Sequence, residues 1–400
     1  MGVANRFFVL KLVAIPFSGS RRGPGRLLAG LLLCAALSVS GSDSPAGPQP
    51  KTGRGFSYRH DEIPAMPWSI HVVKVDRSNP QLEFHVVMGK AAAIGLSTLR
   101  EQIKSLSADL GQPVAAINGD FWNEGSPYEG DPSGLQVSEG ELVSGPSERT
   151  CFWLDAAGNP HMTNVLSQFS ITWPNGEVIS FGLNEKVTNN GAVLYTSRIG
   201  STTRPGKGSE LVLERGGGDS PWLPLRLGQT FKARVREVRQ AGDTPLSQET
   251  MVLALSPQLA ACLPRIEPRQ LLQISTATAP DLSGVKTALG GGPTLVRNGR
   301  AMPWKIPPPR HPRSAIGWND HYLFLVEVDG RQAGLSVGMS FPELADYLVK
   351  IGCSEAMNLD GGGSSTLWVL GQVMNSPCYG HERNMANSLI LVRKDRTQPD

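Results

Sequence analysis

The chain has 400 residues, of which 40% are hydrophobic and 18% charged, a composition typical of a soluble globular protein with a substantial core. Its formal net charge of +3 is too small to indicate a nucleic-acid partner, and the sequence contains no cluster of lysines and arginines with interleaved aromatics. The 45 glycines and 31 prolines, together with scarce helical periodicity, predict many strands and turns. We therefore expect an α+β fold, with strand-rich mixed sheets and a few helices in a single domain.

Residues 1–41 are predicted to be a signal peptide or leader. Arg21, Arg22 and Arg26 precede an apolar run from Leu27 to Leu37, and small residues follow as far as Gly41. The run is short for a transmembrane helix, so we expect no stable membrane span after the leader is removed. This pattern favours a secreted, periplasmic or cell-envelope protein, and it leaves open whether the leader is cleaved or lipidated. Residues 42–68 begin rich in Ser, Pro and Gly and are predicted to be a flexible linker.

The cysteines and histidines indicate neither a metal nor a cofactor. Four cysteines follow the leader, and none has the paired spacing of a zinc site. Their pairing is left open between one or two disulfides and small buried thiols: Cys151, Cys262, Cys353 and Cys378. The seven histidines are scattered without ligand spacing.

The elements can be predicted in chain order from Ser69 onward. Two strand-like runs end at Asp76 and Met88, a helical pattern follows Ser97 as far as Gly111, and a short buried strand precedes Asn118. Hairpins and further strands fill residues 134–181 and 211–276. Ser340 and Glu343 form a capping box, which predicts a helix that Gly352 ends.

The sequence NLDGGGSSTL, residues 358–367, is the strongest candidate site. Amides of three successive glycines can point together at an anion, and the hydroxyls of Ser364 and Ser365 add donors. Asp360 places a carboxylate beside them. The alternative is a tight turn in which Asp360 bonds its own backbone. The candidate binding residues in this segment are Gly361, Gly362, Gly363, Ser364 and Ser365.

Other segments carry polar residues at predicted strand ends or in glycine runs. Their candidate residues are Asn118, Asp120, Gly291, Gly292, Arg313 and Arg383. Each has an ordinary structural alternative, since Asn-Gly and Asp-Gly pairs make turns and an arginine can pair with a surface carboxylate. The segment Asp329-Gly330-Arg331 is interpreted as a turn.

In this order, these motifs resemble the phosphodiester glycosidase family, and the resemblance covers roughly Ser69 to Lys394. It implies a catalytic domain over residues 69–395 that hydrolyses the sugar–phosphate glycosidic bond of sugar-1-phosphodiesters, such as a GlcNAc-1-phosphodiester. Such a reaction needs a held phosphate and a carboxylate at the anomeric centre. Asp360, with Asp120 second, is the expected base or nucleophile, and Arg313 is expected to bind the phosphate. Asn118 is expected to bind substrate or orient a carboxylate, and Arg383 to lie at the edge of the site.

The partner implied is a small-molecule or polysaccharide sugar-phosphodiester, in a role such as cell-surface polysaccharide metabolism. Two other functions stay open. A metal-dependent phosphodiesterase would break the phosphorus–oxygen bond and would need converging carboxylates or histidines. A non-catalytic carbohydrate-binding or envelope protein would keep the fold without the reaction.

Overall fold

The computed structural model describes residues 52–125, 127–217, 222–240, 242–306 and 308–394. The predicted leader and the first part of the predicted linker therefore lie outside the described residues. All described residues belong to one compact unit, Pro48–Asp400.

The elements of the first half are β1 Thr52–Gly53, β2 Phe56–Ile63, β3 Trp68–Asp76, β4 Leu82–Met88, α1 Leu99–Ser105, β5 Gln112–Asn118, β6 Gln136–Ser138, β7 Glu141–Ser144, β8 Thr150–Leu154, β9 Pro160–Asn164, β10 Leu166–Thr172, β11 Val178–Ser180, β12 Gly182–Leu183 and β13 Ala192–Tyr195. Those of the second half are β14 Ser209–Arg215, β15 Thr230–Gln240, β16 Met251–Leu255, α2 Pro257–Cys262, β17 Leu271–Ala279, β18 Thr287–Gly290, β19 Thr294–Arg297, β20 Arg300–Ala301, β21 Arg313–Trp318, β22 Tyr322–Val328, α3 Phe341–Lys350, β23 Glu355–Asn358, β24 Leu367–Val369, β25 Gln372–Val373 and β26 Asn387–Arg393. Short 3₁₀ turns occur at Ala108–Leu110, Ser197–Ile199 and Gly362–Ser364.

These strands form four sheets. The first has the order β1-β2-β3-β22-β21-β23-β19-β20, and the second has the order β25-β24-β5-β26-β4. The third is β7-β6-β18-β8-β9, and the fourth, β11-β10-β17-β15-β14-β16-β13-β12, is formed by residues 166–279. The predicted strand-rich character is confirmed, with short helices packed on the sheets.

The main core beside the site lies between the first and second sheets. Val73 and Leu325 of the first sheet belong to the same buried cluster as Ile117 and Leu389 of the second. On the other face of the first sheet, α3 buries Leu344 and Leu348. The first sheet is therefore covered on both faces, and its strand ends meet the second sheet at residues 118, 314 and 360.

The predicted linker boundary is wrong for residues 52–68. Strand β2 pairs with β3 along its whole length, from Phe56 opposite Val75 to Ile63 opposite Trp68. Phe56 and Tyr58 are buried in the core, so this segment gains more from apolar burial than it loses in chain entropy.

The two predicted helices have different outcomes. Helix α3 has the capping box of Ser340 and Glu343 that was predicted. The helical pattern before Gly111 is shorter than predicted, because α1 begins after Thr98 rather than Ser97 and ends at Ser105. The four cysteines are free thiols, with Cys151 and Cys353 buried, Cys378 half-buried and Cys262 exposed.

Candidate active site

Asn118, the last residue of β5, joins the two sheets at the candidate site. Its side chain is fully buried, and Nδ2 donates to the carbonyl of Asp360 at 2.6 Å. Oδ1 accepts from Ser314 Oγ at 2.6 Å and from the amide of Thr366 at 3.1 Å. All of these contacts are within the protein, so Asn118 positions the Asp360 backbone. The expectation that Asn118 contacts substrate is not supported by its burial.

Asp360 follows β23 and is partly exposed. Its amide donates to the carbonyl of Gly119 at 2.9 Å, and Oδ1 accepts from the amide of Gly361 at 2.9 Å. Burial raises the pKa of Asp360 to about 6, against the opposing effects of the Ser364 hydroxyl, the Gly361 amide and Arg383. The carboxylate is thus held for chemistry near neutral pH while its backbone is fixed on both sides.

Asp120 lies close enough to Asp360 for the two carboxyl groups to interact. It is only 1% exposed, and Oδ1 accepts from the amide of Phe121 at 2.8 Å. Oδ2 is buried and makes no hydrogen bond of good geometry among the described residues, although the Gly134 backbone interacts with this carboxyl group. Burial raises the pKa of Asp120 to about 7, Arg149 opposes the increase, and the charge of Asp360 adds to it. Burial thus raises the pKa of both carboxyl groups toward neutral pH.

The glycines at 290–292 pack against the buried side of the candidate site, next to Asp120. A methyl group added at Gly290 would lie 2.2 Å from Oδ2 of Asp120, so only glycine allows this carboxyl group to fit. Gly291 and Gly292, expected to bind substrate, are buried. Their amides donate to the carbonyls of Thr150 at 3.0 Å and Asn358 at 2.7 Å. They therefore serve packing, and their amides are not available to substrate.

The glycines at 361–363 do not form the predicted three-amide anion site. The amide of Gly361 donates to Asp360 itself, and that of Gly362 donates to the carbonyl of Pro312 at 2.9 Å. A methyl group on Gly363 would lie 2.2 Å from the ring of Tyr379, and Gly362 has a φ of +61°. Close packing and a left-handed turn explain these glycines, so anion recognition must come mainly from side chains.

The two serines after the glycines differ in their roles. The Ser364 hydroxyl hydrogen-bonds to Asp360 and lies 3.5 Å from Nη1 of Arg383. Ser365 is 2% exposed, and its hydroxyl has no hydrogen-bond partner among the described residues. Ser364 is thus in the candidate site, whereas Ser365 lies behind it.

Arg313 and Arg383 differ in burial and in the groups that their guanidinium donors contact. Arg313 is 7% exposed, and its fork donates from Nε to Met339 O and from Nη2 to Pro309 O, both at 2.9 Å. Its guanidinium stacks over Phe341, and burial together with Arg331 lowers the pKa of Arg313 to about 10. Two of its donors are held by backbone carbonyls in a buried position, contrary to a role as a free phosphate fork.

Arg383 is the arginine whose positive charge affects the pKa of Asp360. It bonds Glu124 at 2.6 Å, stacks over Trp122, and its charge opposes the increase in the pKa of Asp360. Trp122, Glu124 and Arg383 border a cavity of ≈ 550 Å³. The lining also includes His381, Glu382 and Asn384.

Arg331 was missed because Asp329-Gly330-Arg331 was interpreted as a turn. Its backbone has a φ of +58°, and its exposed side chain lies over the glycine loop, with Nη2 3.0 Å from a methyl group placed on Gly362. Nε lies 3.4 Å from Nδ1 of His311. The signal in the sequence was its position three residues after the apolar run that ends at Val328.

A second polar cluster, formed by His71, Glu327 and Asp329, could hold a metal ion. One ligand atom from each of these buried residues lies within 4.8 Å of the other two. The search for ligand spacing missed it, because the residues come from β3 and the end of β22, which are paired in space but remote in sequence.

Comparison with known proteins places the chain among relatives of similar fold. A hypothetical protein from Synechocystis shares the fold with a TM-score of 0.67 and 20% identity, over 87% of this chain and 64% of that chain. The "Putative exported protein" of Burkholderia pseudomallei gives a TM-score of 0.63 and 21% identity, over 81% of this chain and 74% of that chain. The SPbeta prophage-derived uncharacterized protein YomE of Bacillus subtilis is 37% identical over 87 residues, which are 22% of this chain and 13% of that protein. This chain thus spans less than two thirds of the length of the YomE and Synechocystis proteins.

Residues 230–392 match the phosphodiester glycosidase family. The match includes Arg313, Asp360 and Arg383 and confirms the resemblance drawn from the motifs. The zebrafish N-acetylglucosamine-1-phosphodiester alpha-N-acetylglucosaminidase catalytic domain, auto-inhibited by its pro-peptide, gives a TM-score of 0.44 and 14% identity, over 89% of this chain and 86% of that chain. No helix of the described residues is long and apolar enough to span a membrane.

Proposed function

We propose that this phosphodiester glycosidase-like protein hydrolyses the sugar–phosphate glycosidic bond of a sugar-1-phosphodiester. The observation that carries the proposal is the pair of interacting carboxyl groups, Asp120 and Asp360, at strand ends beside Arg383. Two carboxyl groups whose environments separate their pKa values are a common basis for acid and base roles in glycoside hydrolysis.

Asp360 is the residue we assign as base or nucleophile. It is the more exposed of the two carboxyl groups, and it accepts a hydrogen bond from the Gly361 amide. Its carboxylate can attack the anomeric carbon, or it can accept a proton from a water that attacks that carbon. In either case the glycosidic carbon–oxygen bond breaks, and the phosphate leaves with the bridging oxygen.

Asp120 has a supporting role in this proposal. With a pKa of about 7 it stays largely protonated at mildly acidic pH, and this limits the negative charge beside Asp360 while the phosphate binds. A phosphate monoester is already a good leaving group, so a strong general acid is less necessary than in ordinary glycosidases.

Arg383 and Arg331 are the side chains we assign to the phosphate. They approach the Asp360–Ser364 loop from different sides, at Ser364 and at Gly362. A guanidinium can donate two hydrogen bonds to one phosphate group. Arg313, committed to backbone carbonyls, would support the loop from the α3 side.

We also propose a cellular location and a biological process for the reaction. Export to the periplasm, cell envelope or medium, and a role in cell-surface polysaccharide metabolism, fit the basic and apolar N-terminal residues. N-terminal sequencing of the exported chain should find a start near Gly41.

Incubation with a GlcNAc-1-phosphodiester, followed by product analysis, tests the reaction. Free sugar plus a phosphomonoester is the expected result. Sugar-1-phosphate would identify a phosphodiesterase instead, and absence of turnover across diverse sugar-1-phosphodiesters would favour a non-catalytic carbohydrate-binding protein. Both of these outcomes would overturn the proposal.

A further inference from the structure

The cluster of His71, Glu327 and Asp329 lies on the face of the first sheet that packs against the second. Glu327 is opposite both Ser314 and His71 in the strand register, so the three side chains form one row across β21, β22 and β3. Asp329 is two residues beyond Glu327, where its Oδ2 lies 3.1 Å from Nε2 of His71. The three residues of the cluster are at most 3% exposed.

Glu327 is the unsatisfied member of this cluster. Its two carboxylate oxygens are buried, and neither makes a hydrogen bond of good geometry within the described residues, although the Asn375 side chain interacts with this carboxyl group. Leaving a buried carboxyl group unpaired is strongly unfavourable, and a second carboxyl group, Asp329, adds like charge beside it. A cation or a proton must therefore compensate Glu327.

The separations in the cluster suit one small cation. Tetrahedral zinc with bonds of about 2.0–2.1 Å holds neighbouring ligand atoms roughly 3.3 Å apart. The separation of 3.1 Å between Nε2 of His71 and Oδ2 of Asp329 is close to this value and is that of the hydrogen bond between them, while the ligand atom of Glu327 lies within 4.8 Å of both. One imidazole and two carboxylates form a donor set that zinc accepts.

The surrounding hydrogen bonds orient these ligand atoms. The Tyr58 hydroxyl lies 2.8 Å from Nδ1 of His71, which leaves Nε2 facing the carboxylates. Oδ1 of Asp329 accepts from the amide of Ser376 at 2.8 Å, and Oδ2 accepts from Ser69 Oγ at 2.7 Å. Such outer contacts hold metal ligands in place in known sites.

We propose that His71, Glu327 and Asp329 supply three ligands of a buried binding site for one zinc ion, with the fourth position of the ion left open. The proposed zinc site is linked to Asn118 through Ser314. Ser314 lies opposite Glu327 in the strand register, and its hydroxyl donates a hydrogen bond to Asn118. The ion would therefore stabilise the meeting point of the two sheets. The proposal does not depend on the proposed glycosidase reaction.

Metal analysis of the full chain tests the site. Wild type, Glu327→Gln and the control Glu249→Gln are expressed without a histidine tag in zinc-containing medium, and zinc is measured by inductively coupled plasma mass spectrometry. Glu249 is exposed, so its substitution removes the same charge without altering the cluster. We expect about one zinc per chain in wild type and control, and less than a tenth of that in Glu327→Gln.

Thermal unfolding supplies a second readout that does not depend on a variant folding. Wild type stripped with a chelator should regain one zinc when zinc alone is added, and its Tm should rise by roughly 5 °C at saturating zinc. The Tm of folded Glu327→Gln should not respond. The site is overturned if stripped wild type binds no zinc or shows no rise in Tm, or if Glu327→Gln binds as much zinc as wild type. Retention of manganese or calcium in place of zinc would overturn the assignment of the ion.

Discussion

Two clusters of acidic side chains lie near Asn118, and they differ in the groups that compensate their negative charge. On one side, Asp120 and Asp360 interact with Arg149 and Arg383 respectively. On the other side, Glu327 and Asp329 lie beside His71. Asp360 is partly exposed, whereas His71, Glu327 and Asp329 are all buried.

This difference separates a group suited to reaction from one suited to structure. A reactive carboxylate needs a pKa near the working pH and access for its substrate, and Asp360 has both features. A buried carboxyl group is not accessible to a substrate, so its negative charge must be compensated within the protein. The same burial that raises a pKa thus has different consequences in the two groups.

The largest effect is expected for Asp360→Asn. The change keeps the size of the side chain but removes the charge that attacks or accepts a proton, so kcat should fall by at least about 10³-fold. Steady-state kinetics on a GlcNAc-1-phosphodiester measures the loss, with exposed Asp346→Asn as the matched control. Unchanged kcat in folded Asp360→Asn would remove Asp360 from the reaction.

Arg383→Lys should have the next largest effect. Lysine keeps the charge but loses the planar fork, so kcat/KM should fall about 10-fold to 100-fold, in line with one or two lost charge-assisted hydrogen bonds. Arg313→Lys should instead lower Tm, because it breaks contacts with Met339 and Pro309, and should change kcat/KM less. Exposed Arg265→Lys is the control. The reverse ranking of Arg313 and Arg383 would return the phosphate role to Arg313.

Asp120→Asn should stabilise the protein at pH 8. The folded pKa of Asp120 is about 7, above its ordinary value of 3.8, so the folded state binds more protons between these values. Wild-type stability from this residue therefore falls as the pH rises from about 4 to 7. That difference corresponds to at most about 4 kcal/mol, of which we expect a net gain of about 1–2 kcal/mol, since the new amide also lacks partners.

Urea unfolding at pH 4 and pH 8 measures this effect. The gain of Asp120→Asn over wild type should be present at pH 8 and largely absent at pH 4. A gain of equal size at both pH values would show that charge burial is not its cause.

The smallest expected effect is a shift in the pH profile. Activity should rise with pH through an apparent pKa of about 6 as Asp360 ionises. The negative charge of Glu124 raises the pKa of Asp360, so Glu124→Gln should move this limb to lower pH by less than about one pH unit. A shift to higher pH, or none, would remove Glu124 from the environment of Asp360. The profile of kcat/KM against pH, with exposed Glu249→Gln as control, measures it.

Local patterns in the sequence predicted α3 and most of the strands, but not β2, and they singled out the two carboxyl groups as candidates. The capping box of Ser340 and Glu343 predicted the start of α3, because a cap is made by residues three positions apart. Asp120 and Asp360 were found because each follows a short apolar strand and precedes or neighbours glycine. Their proximity in space followed from the fold, since β5 and β23 belong to different sheets.

The assignments of the glycines and arginines needed the tertiary structure. Three glycines in sequence predict unusual backbone freedom, but not whether their amides face a ligand or, as for Gly362, the carbonyl of Pro312. Arg313, Arg331 and Arg383 have the same side chain, and only packing separates the buried fork of Arg313 from the other two.

The strand-rich character, the cap of α3, the order of the motifs and the family resemblance follow from the sequence alone, because each depends on composition, on residues near one another in the chain or on motif order. The tertiary structure decided which polar groups share a site and which are sealed. His71 and Glu327 are 256 positions apart, yet the pairing of β3 with β22 brings them together on one face. Burial and pairing between remote strands set the pKa of a carboxyl group and the ligands around it, and no local pattern records them.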